Sequence, residues 1–306
     1  MQLDGIHHVT CITAEAARNV DFYTRVLGLR LVKKTVNQDD PTVYHLFYAD
    51  EDGSPGSDIT FFEHPGVRRG QAGAGMVHTV IWRVASEEAL DFWGERLAGE
   101  ALPMTRTDGR LRFQDPEGLG LELAVVQTPD APLVAGHPEI AAELALQGFD
   151  GVRALADPRF SRTLLERTLG FAPAGEAAWQ VRGESRGSLY ACDPPRGLRP
   201  ASGAGTVHHV AWSSRLEDHE EWLGALSAAQ VPTSGIVDRF WFRSIYFREP
   251  GGVLFEIATA GPGLAVDEDP ERLGEHLTLP PAFEPMRQRL EGVLTPLPDP
   301  RPWARR

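Results

Sequence analysis

The segment TVHHVAW at residues 206–212 aligns without gaps under MVHTVIW at 76–82, and EPGGVLFEIATA at 249–260 aligns in the same way under DPEGLGLELAVV at 115–126. A chain that repeats itself at this scale folds as several copies of one supersecondary unit, because a single copy cannot bury its apolar face alone. Between these anchors lie helix-like segments at 87–97 and 217–228, each followed by strand-like pieces. A second pair of segments, YTRVLGLRLV at 23–32 and LERTLGFAPA at 165–174, reads as helix ends stopped by glycine. Four units therefore begin near residues 5, 76, 151 and 206; the first resembles the third, and the second resembles the fourth.

Within the first unit the pattern predicts a strand at 6–12 and a helix at 14–27, with Thr13 as N-cap and Val20, Tyr23 and Leu27 on one face. Three more strands follow at 29–35, 43–48 and 58–63, with EDGSPGS as the turn before the last. The unit is βαβββ, and the expected fold is α+β: four such modules forming two curved-sheet cups with helices on the outer faces. The expected division is an N-terminal pair of modules in 1–140 (units at 5–63 and 76–127) and a C-terminal pair in 141–306 (units at 149–193 and 206–260, then a tail from 261).

A length of 306 residues suits two ordinary domains, or four small units packed around more than one core. A net charge of −13 argues against nucleic acid, whose phosphates demand a basic stripe. Two cysteines, Cys11 and Cys192, make no disulfide framework, and MQLDGIHHVT lacks the features of a signal peptide. No stretch approaches the ~18 to 20 apolar residues of a membrane span. A reducing cytoplasm is the expected compartment, no membrane partner is implied, and a homo-oligomer is left open.

The doublet in TVHHVAW recurs at the start of the chain in GIHHVTC, residues 5–11. Both sit among strand-forming neighbours (Ile6, Val9, Ile12; Val207, Val210), so successive side chains point to opposite faces and only one His of each pair faces a given cavity. Glu256, in the apolar strand VLFEIAT, needs a metal or cation if its face is buried. If the His of a first strand and the Glu of a last strand share the concave side of a module, two facing modules supply two His and one carboxylate. That facial triad leaves three cis positions open on a metal and suits non-haem Fe(II) oxygen chemistry.

Paired βαβββ modules with GIHHVT at the start, TVHHVAW, and DRFWFRSIYFREPGGVLFEIAT near the end resemble the vicinal oxygen chelate superfamily, which includes glyoxalases and extradiol dioxygenases. Within it the chain is similar to the hydroquinone-type ring-cleaving dioxygenases, over nearly its whole length, including YHLFYADEDGSPGSDITFF and VDEDPERLGEHLTLPP. The resemblance implies an Fe(II) centre, with Mn(II) as a variant, held by the second His of each doublet and the strand Glu: His8, His209 and Glu256. It implies that His7 and His208 lie close to the substrate, and that Arg239 and Tyr246 lie near the substrate oxygen. There a guanidinium favours phenolate charge, and a phenol or imidazole passes protons. The expected reaction is extradiol-type cleavage of a hydroquinone or catechol ring, the partners being a small aromatic substrate and O2. Thr10 shares the face of His8 and is expected to hydrogen-bond phenol or dioxygen. Phe240, Trp241 and Phe242 either wall the ring or belong to the core.

The repeat supplies an independent check on the pairing. The second unit has Thr79 where the fourth has His209, although it keeps Glu122; the third begins FDGVRAL with no His. Only the first and fourth units together complete a triad, which leaves the second and third to a metal-free cup and makes Glu122 a structural remnant. The superfamily also contains lyases, isomerases and antibiotic-binding proteins. A glyoxalase-like lyase holds Zn²⁺ or Ni²⁺ with a fourth protein ligand, for which Glu63, read as the repeat equivalent of Glu256, is the candidate. A non-catalytic aromatic- or drug-binding protein needs no triad at all.

Overall fold

The computed structural model describes residues 1–195 and 197–302. Its first unit runs β1 (Ile6–Thr13), a short helix α1 (Ala16–Asp21) that widens into a π turn (Phe22–Val26), then β2 (Arg30–Asn37), β3 (Asp40–Ala49) and β4 (Asp58–Glu63). The helix starts two residues later than the sequence suggests, and Thr13 does not cap it. The Ala14 amide instead donates to Glu117 Oε1 of the second unit (2.8 Å), while the Thr13 hydroxyl accepts from the Glu15 amide (3.2 Å). Val20, Tyr23 and Leu27 are all buried, and the chain leaves the turn through Gly28 at φ +70°, where a side chain would be strained.

The second unit contains β5 (Met76–Val84), α2 (Glu87–Gly99), β6 (Met104–Thr107), β7 (Arg110–Gln114) and β8 (Gly120–Val125). Ser86 caps α2 by accepting from the Ala89 amide (3.2 Å), and Ala89, Leu90, Trp93 and Leu97 form its buried stripe. The third unit has β9 (Phe149–Leu155), α3 (Pro158–Thr163) with the same π widening (Leu164–Thr168), β10 (Ala172–Gly175), β11 (Ala178–Arg182) and β12 (Gly187–Asp193). The fourth has β13 (Thr206–Ser214), α4 (His219–Ala228), β14 (Thr233–Asp238), β15 (Phe242–Arg248) and β16 (Leu254–Pro262).

These strands make two eight-stranded sheets. The first, ordered β14-β15-β16-β13-β1-β4-β3-β2, joins the fourth unit to the first through antiparallel β1 and β13. The second, β10-β11-β12-β9-β5-β8-β7-β6, joins the third to the second through β9 and β5. The fold is α+β, with each sheet curling into a cup.

Strand alternation sorts residues between core and cup. Val210, Trp212, Phe255 and Ile257 lie in the hydrophobic core, where Trp212 meets Phe171 (ring centroids 4.9 Å apart) and Phe255 meets Tyr190 (5.2 Å). Their neighbours His209, Ala211, Glu256 and Ala258 alternate to the cup side. Burying side chains such as Phe171 and Phe255 stabilises the fold by about 1.5–3 kcal/mol each, and a one-residue slip would exchange the two faces, so the core sets the register that the site needs.

The tail after β16 closes the β2 side of the first cup. Leu264 and Leu273 pack with Val32, Phe47 and Trp241, and the fully buried amine of Lys33 pairs with Asp267 (2.9 Å) and Glu268. No helix among the described residues is long and apolar enough to cross a membrane.

Candidate metal centre

The pairing of β1 with β13 skips one residue on each strand. Ile6 stands opposite Trp212 and His8 opposite Ala211; Thr10 stands opposite His209 and Cys11 opposite Val207. The residue left over is His7 on one strand and His208 on the other. A β-bulge re-aims the extra side chain, and here each leading His turns towards the His that follows it. Nδ1 of His7 lies 2.9 Å from Nδ1 of His8, and Nδ1 of His208 lies 2.7 Å from Nδ1 of His209.

The other ring nitrogens of His8 and His209 meet the carboxylate of Glu256. His8 Nε2 is 3.2 Å and His209 Nε2 is 2.9 Å from Glu256 Oε2, the two Nε2 atoms are 3.3 Å apart, and all three residues are buried. Glu256 Oε1 accepts from the Ser244 hydroxyl (2.5 Å), whereas Oε2 is buried without a hydrogen-bond partner.

Hydrogen bonding sets the tautomers. His7 Nε2 lies 3.2 Å from the Thr259 carbonyl, which can only accept, so that nitrogen carries the proton and His7 Nδ1 is an acceptor. His8 therefore donates through Nδ1, and its Nε2 presents a lone pair to the point that His209 and Glu256 also face. An imidazole oriented in this way through its second nitrogen is the usual state of a metal ligand.

Electrostatics agree with this geometry. Burial opposes protonation of His8, but the Glu256 carboxylate outweighs it and raises the His8 pKa. Burial alone would raise Glu256, yet the charge of His8 and the close approach of both imidazoles hold it well below the usual carboxylate range. The carboxylate thus calls for positive charge where the lone pairs converge. The residues fit a divalent ion, and the three make up a candidate metal site.

A small cavity opens onto His8 and His209. Phe47, Phe62, Trp241 and Phe242 give it aromatic walls, so two of the three aromatics noted in DRFWF wall the site as well as fill the core; the third, Phe240, does not line it. Tyr246 and Arg239 also line it: the Tyr246 ring meets His209 edge-on at 5.6 Å, and Arg239 Nε lies 3.3 Å from the Tyr246 oxygen. Arg239 is held in place by Asp39 (3.1 Å) and, through its carbonyl, by Gln38 (2.8 Å), both on the β2–β3 hairpin of the first unit.

His7, His208 and Thr10 do not line this cavity. The two histidines stand behind the ligands as their Nδ1 partners, and Thr10 accepts from the Thr60 hydroxyl (2.8 Å), which in turn meets His45 Nε2 (2.8 Å). His45 does line the cavity. Sequence reasoning missed it, although it shares strand parity with Phe47 in YHLFYA and so falls on the cup side.

Glu63 is not the counterpart of Glu256. Glu256 pairs with Ala211, two residues beyond His209; the residue paired two positions beyond His8 is Thr60, opposite Thr10. Glu63 instead ends its strand opposite Thr13 and accepts from Thr295 of the tail (2.7 Å).

In the second cup the same corner is filled without a metal. Glu122 is fully buried and paired with Arg110 and Arg112, Thr79 Oγ1 hydrogen-bonds His78 Nδ1 (2.9 Å), and a Cβ at Gly151 would lie 2.3 Å from the Leu189 carbonyl. Gly151 stands where His8 stands in the first unit, so no ligand side chain fits there.

Residues 5–123 match the model of the family described as Glyoxalase/Bleomycin resistance protein/Dioxygenase superfamily. The sequence is 39% identical to "Putative ring-cleaving dioxygenase MhqA" of Bacillus subtilis, over 97% of this chain and 100% of that protein. It is 30% identical to the chlorohydroquinone/hydroquinone 1,2-dioxygenase of Sphingobium indicum, over 94% of this chain and 95% of that protein. A crystal structure of a "putative dioxygenase" from Bacillus subtilis superposes with a TM-score of 0.89 at 38% identity, covering 97% of this chain and 98% of the other.

Proposed function

The chain belongs to the glyoxalase/bleomycin resistance protein/dioxygenase superfamily, and we propose that it is a ring-cleaving dioxygenase that opens a hydroquinone-type ring with O2, using a ferrous ion held by His8, His209 and Glu256. The observation that carries this reading is the three-residue donor set with Thr60 in the fourth corner. A glyoxalase-like lyase needs a fourth protein ligand, and the carboxylate that the sequence offers for that place, Glu63, is committed to Thr295. The names of the relatives support ring cleavage and a hydroquinone substrate.

When bound by His8, His209 and Glu256, ferrous iron would supply a redox couple through which an aromatic ring and dioxygen react. The remaining work falls to the chain. Phe47, Phe62, Trp241 and Phe242 confine a flat ring and exclude water. Arg239 places a fixed positive charge beside the phenolate. Burial, then the Glu256 charge, push the Tyr246 phenol above its ordinary pKa against the pull of Arg239, so Tyr246 stays protonated and serves as a proton donor rather than a base.

The test is to purify the protein without oxygen, load it with Fe(II), and follow oxygen uptake with a panel of hydroquinones and catechols. The expected result is one O2 consumed per hydroquinone ring opened, with both oxygen atoms in the product. Loaded protein that consumes no oxygen with any of them, or a Zn²⁺ or Ni²⁺ form that isomerises a glyoxal adduct, would overturn the reading.

The bulge geometry adds an expectation for the doublets. His208→Ala removes the partner of His209 Nδ1 and should weaken metal affinity by roughly 10- to 100-fold, measured by chelator competition, while activity per bound metal is kept. His208→Gln, whose amide oxygen can accept the same hydrogen bond, should lose less. Unchanged affinity with lost turnover would instead return His208 to the direct acid–base role that the family resemblance implies.

A further inference from the structure

The two halves of the first cup are related position by position. Ser244 on β15 and Glu256 on β16 correspond to His45 on β3 and Thr60 on β4. In the fourth unit a hydroxyl holds the carboxylate; in the first a hydroxyl holds an imidazole. On the dioxygenase reading above, we propose that His45 is a substrate-binding residue whose Nδ1 accepts a hydrogen bond from the ring hydroxyl that the metal does not hold, so that the site selects para-dihydroxylated rings over monophenols.

The geometry of one side chain carries this. The Thr60 hydroxyl donates to Thr10 (2.8 Å), so Thr60 accepts at its oxygen, and the His45 nitrogen 2.8 Å from it is the donor. That leaves Nδ1 as an acceptor, and among the described residues it has no hydrogen-bond partner. The ring sits 4.1 Å from Phe47 and 4.4 Å from Phe62, centroid to centroid, which fixes its plane. Burial, followed by the charges of His8 and His209, holds its pKa well below the ordinary value, so the imidazole is neutral. A ligand donor that reaches Nδ1 keeps this acceptor satisfied when the ligand displaces water from the aromatic-walled cavity, whereas a ligand without one leaves it unmet. A hydroxyl across the ring from the metal-held oxygen is such a donor; a methoxy group is not.

The experiment compares hydroquinone with 4-methoxyphenol for anaerobic binding to the ferrous enzyme, and follows kcat and KM for hydroquinone. The wild type should prefer hydroquinone by about 10-fold, the scale of one hydrogen bond. In His45→Phe, which keeps the aromatic packing, the preference should shrink to within about 2-fold through weaker hydroquinone binding alone. KM should rise more than kcat falls, and His45→Gln, which can still accept, should recover part of the preference. A His45→Phe enzyme that keeps the wild-type preference, or loses affinity for both ligands equally, overturns the role of His45 while leaving ring cleavage intact. A wild type that binds neither ligand overturns the dioxygenase reading and this assignment together.

Discussion

Replacing His209 by Ala is expected to leave a folded chain that no longer retains its metal. Two donors remain, His8 and Glu256, and the buried Oε2 of Glu256 loses the closer of its two imidazole neighbours, at 2.9 Å. Loss of an outer-shell partner already costs about 10- to 100-fold in affinity, so loss of a ligand should exceed 10²-fold. Elemental analysis of protein purified without oxygen and passed through a desalting column reads the result directly. The matched control is Thr79→Ala at the equivalent position of the second cup, where Glu122 is already neutralised by Arg110 and Arg112. It should leave metal content unchanged. A Thr79 variant that lost the ion, or a His209 variant that kept it at full stoichiometry, would place the centre in the wrong cup.

The second large effect is expected at Tyr246. Its hydroxyl oxygen is 3.3 Å from Arg239 Nε, which as a donor occupies the oxygen lone pair and leaves the phenolic proton free to turn towards the cavity. Tyr246→Phe removes that proton together with the oxygen that accepts from Arg239, but Asp39 and Gln38 still hold Arg239, the ring still meets His209 edge-on and the core side of β15 is untouched. Metal content should persist while turnover falls by about 10²- to 10⁴-fold, the range for losing a positioned proton-transfer group. Anaerobic binding of hydroquinone should change much less than turnover. A Tyr246→Phe enzyme within about 3-fold of wild type would show that proton transfer does not pass through the Tyr246 hydroxyl.

Much of this site was legible in the residues. The four units follow from gapless alignment, and the ligand count alone couples the first unit to the fourth, since Thr79 and the His-free FDGVRAL leave no other complete set. The first sheet joins these same two units through β1 and β13. Parity also placed Glu256 on the cup side, because Phe255 and Ile257 around it are core residues.

Two readings fail for identifiable reasons. Thr13 reads as a cap because it precedes a helical pattern, but Glu117 of another unit captures the Ala14 amide and the helix begins later. Glu63 matches Glu256 by its place at the end of a strand, whereas equivalence in a sheet is set by hydrogen-bond register, and the register points to Thr60. The family resemblance puts the doublet-leading histidines close to the substrate; the register adds that the bulges turn them towards the ligands' Nδ1 atoms.

What the sequence determined by itself is therefore what depends on local pattern and residue count: strand parity, the βαβββ repeat, and the presence of one complete His–His–Glu set. What only the tertiary structure decided is what depends on register between distant strands. The skipped residue at His7 and His208, the pairing of Thr60 with Thr10, and the seat of His45 against Phe62 all depend on how far one strand slides along another. That offset is chosen by the summed burial of core side chains such as Trp212 and Phe255 across the whole sheet, a cooperative quantity that no short segment encodes.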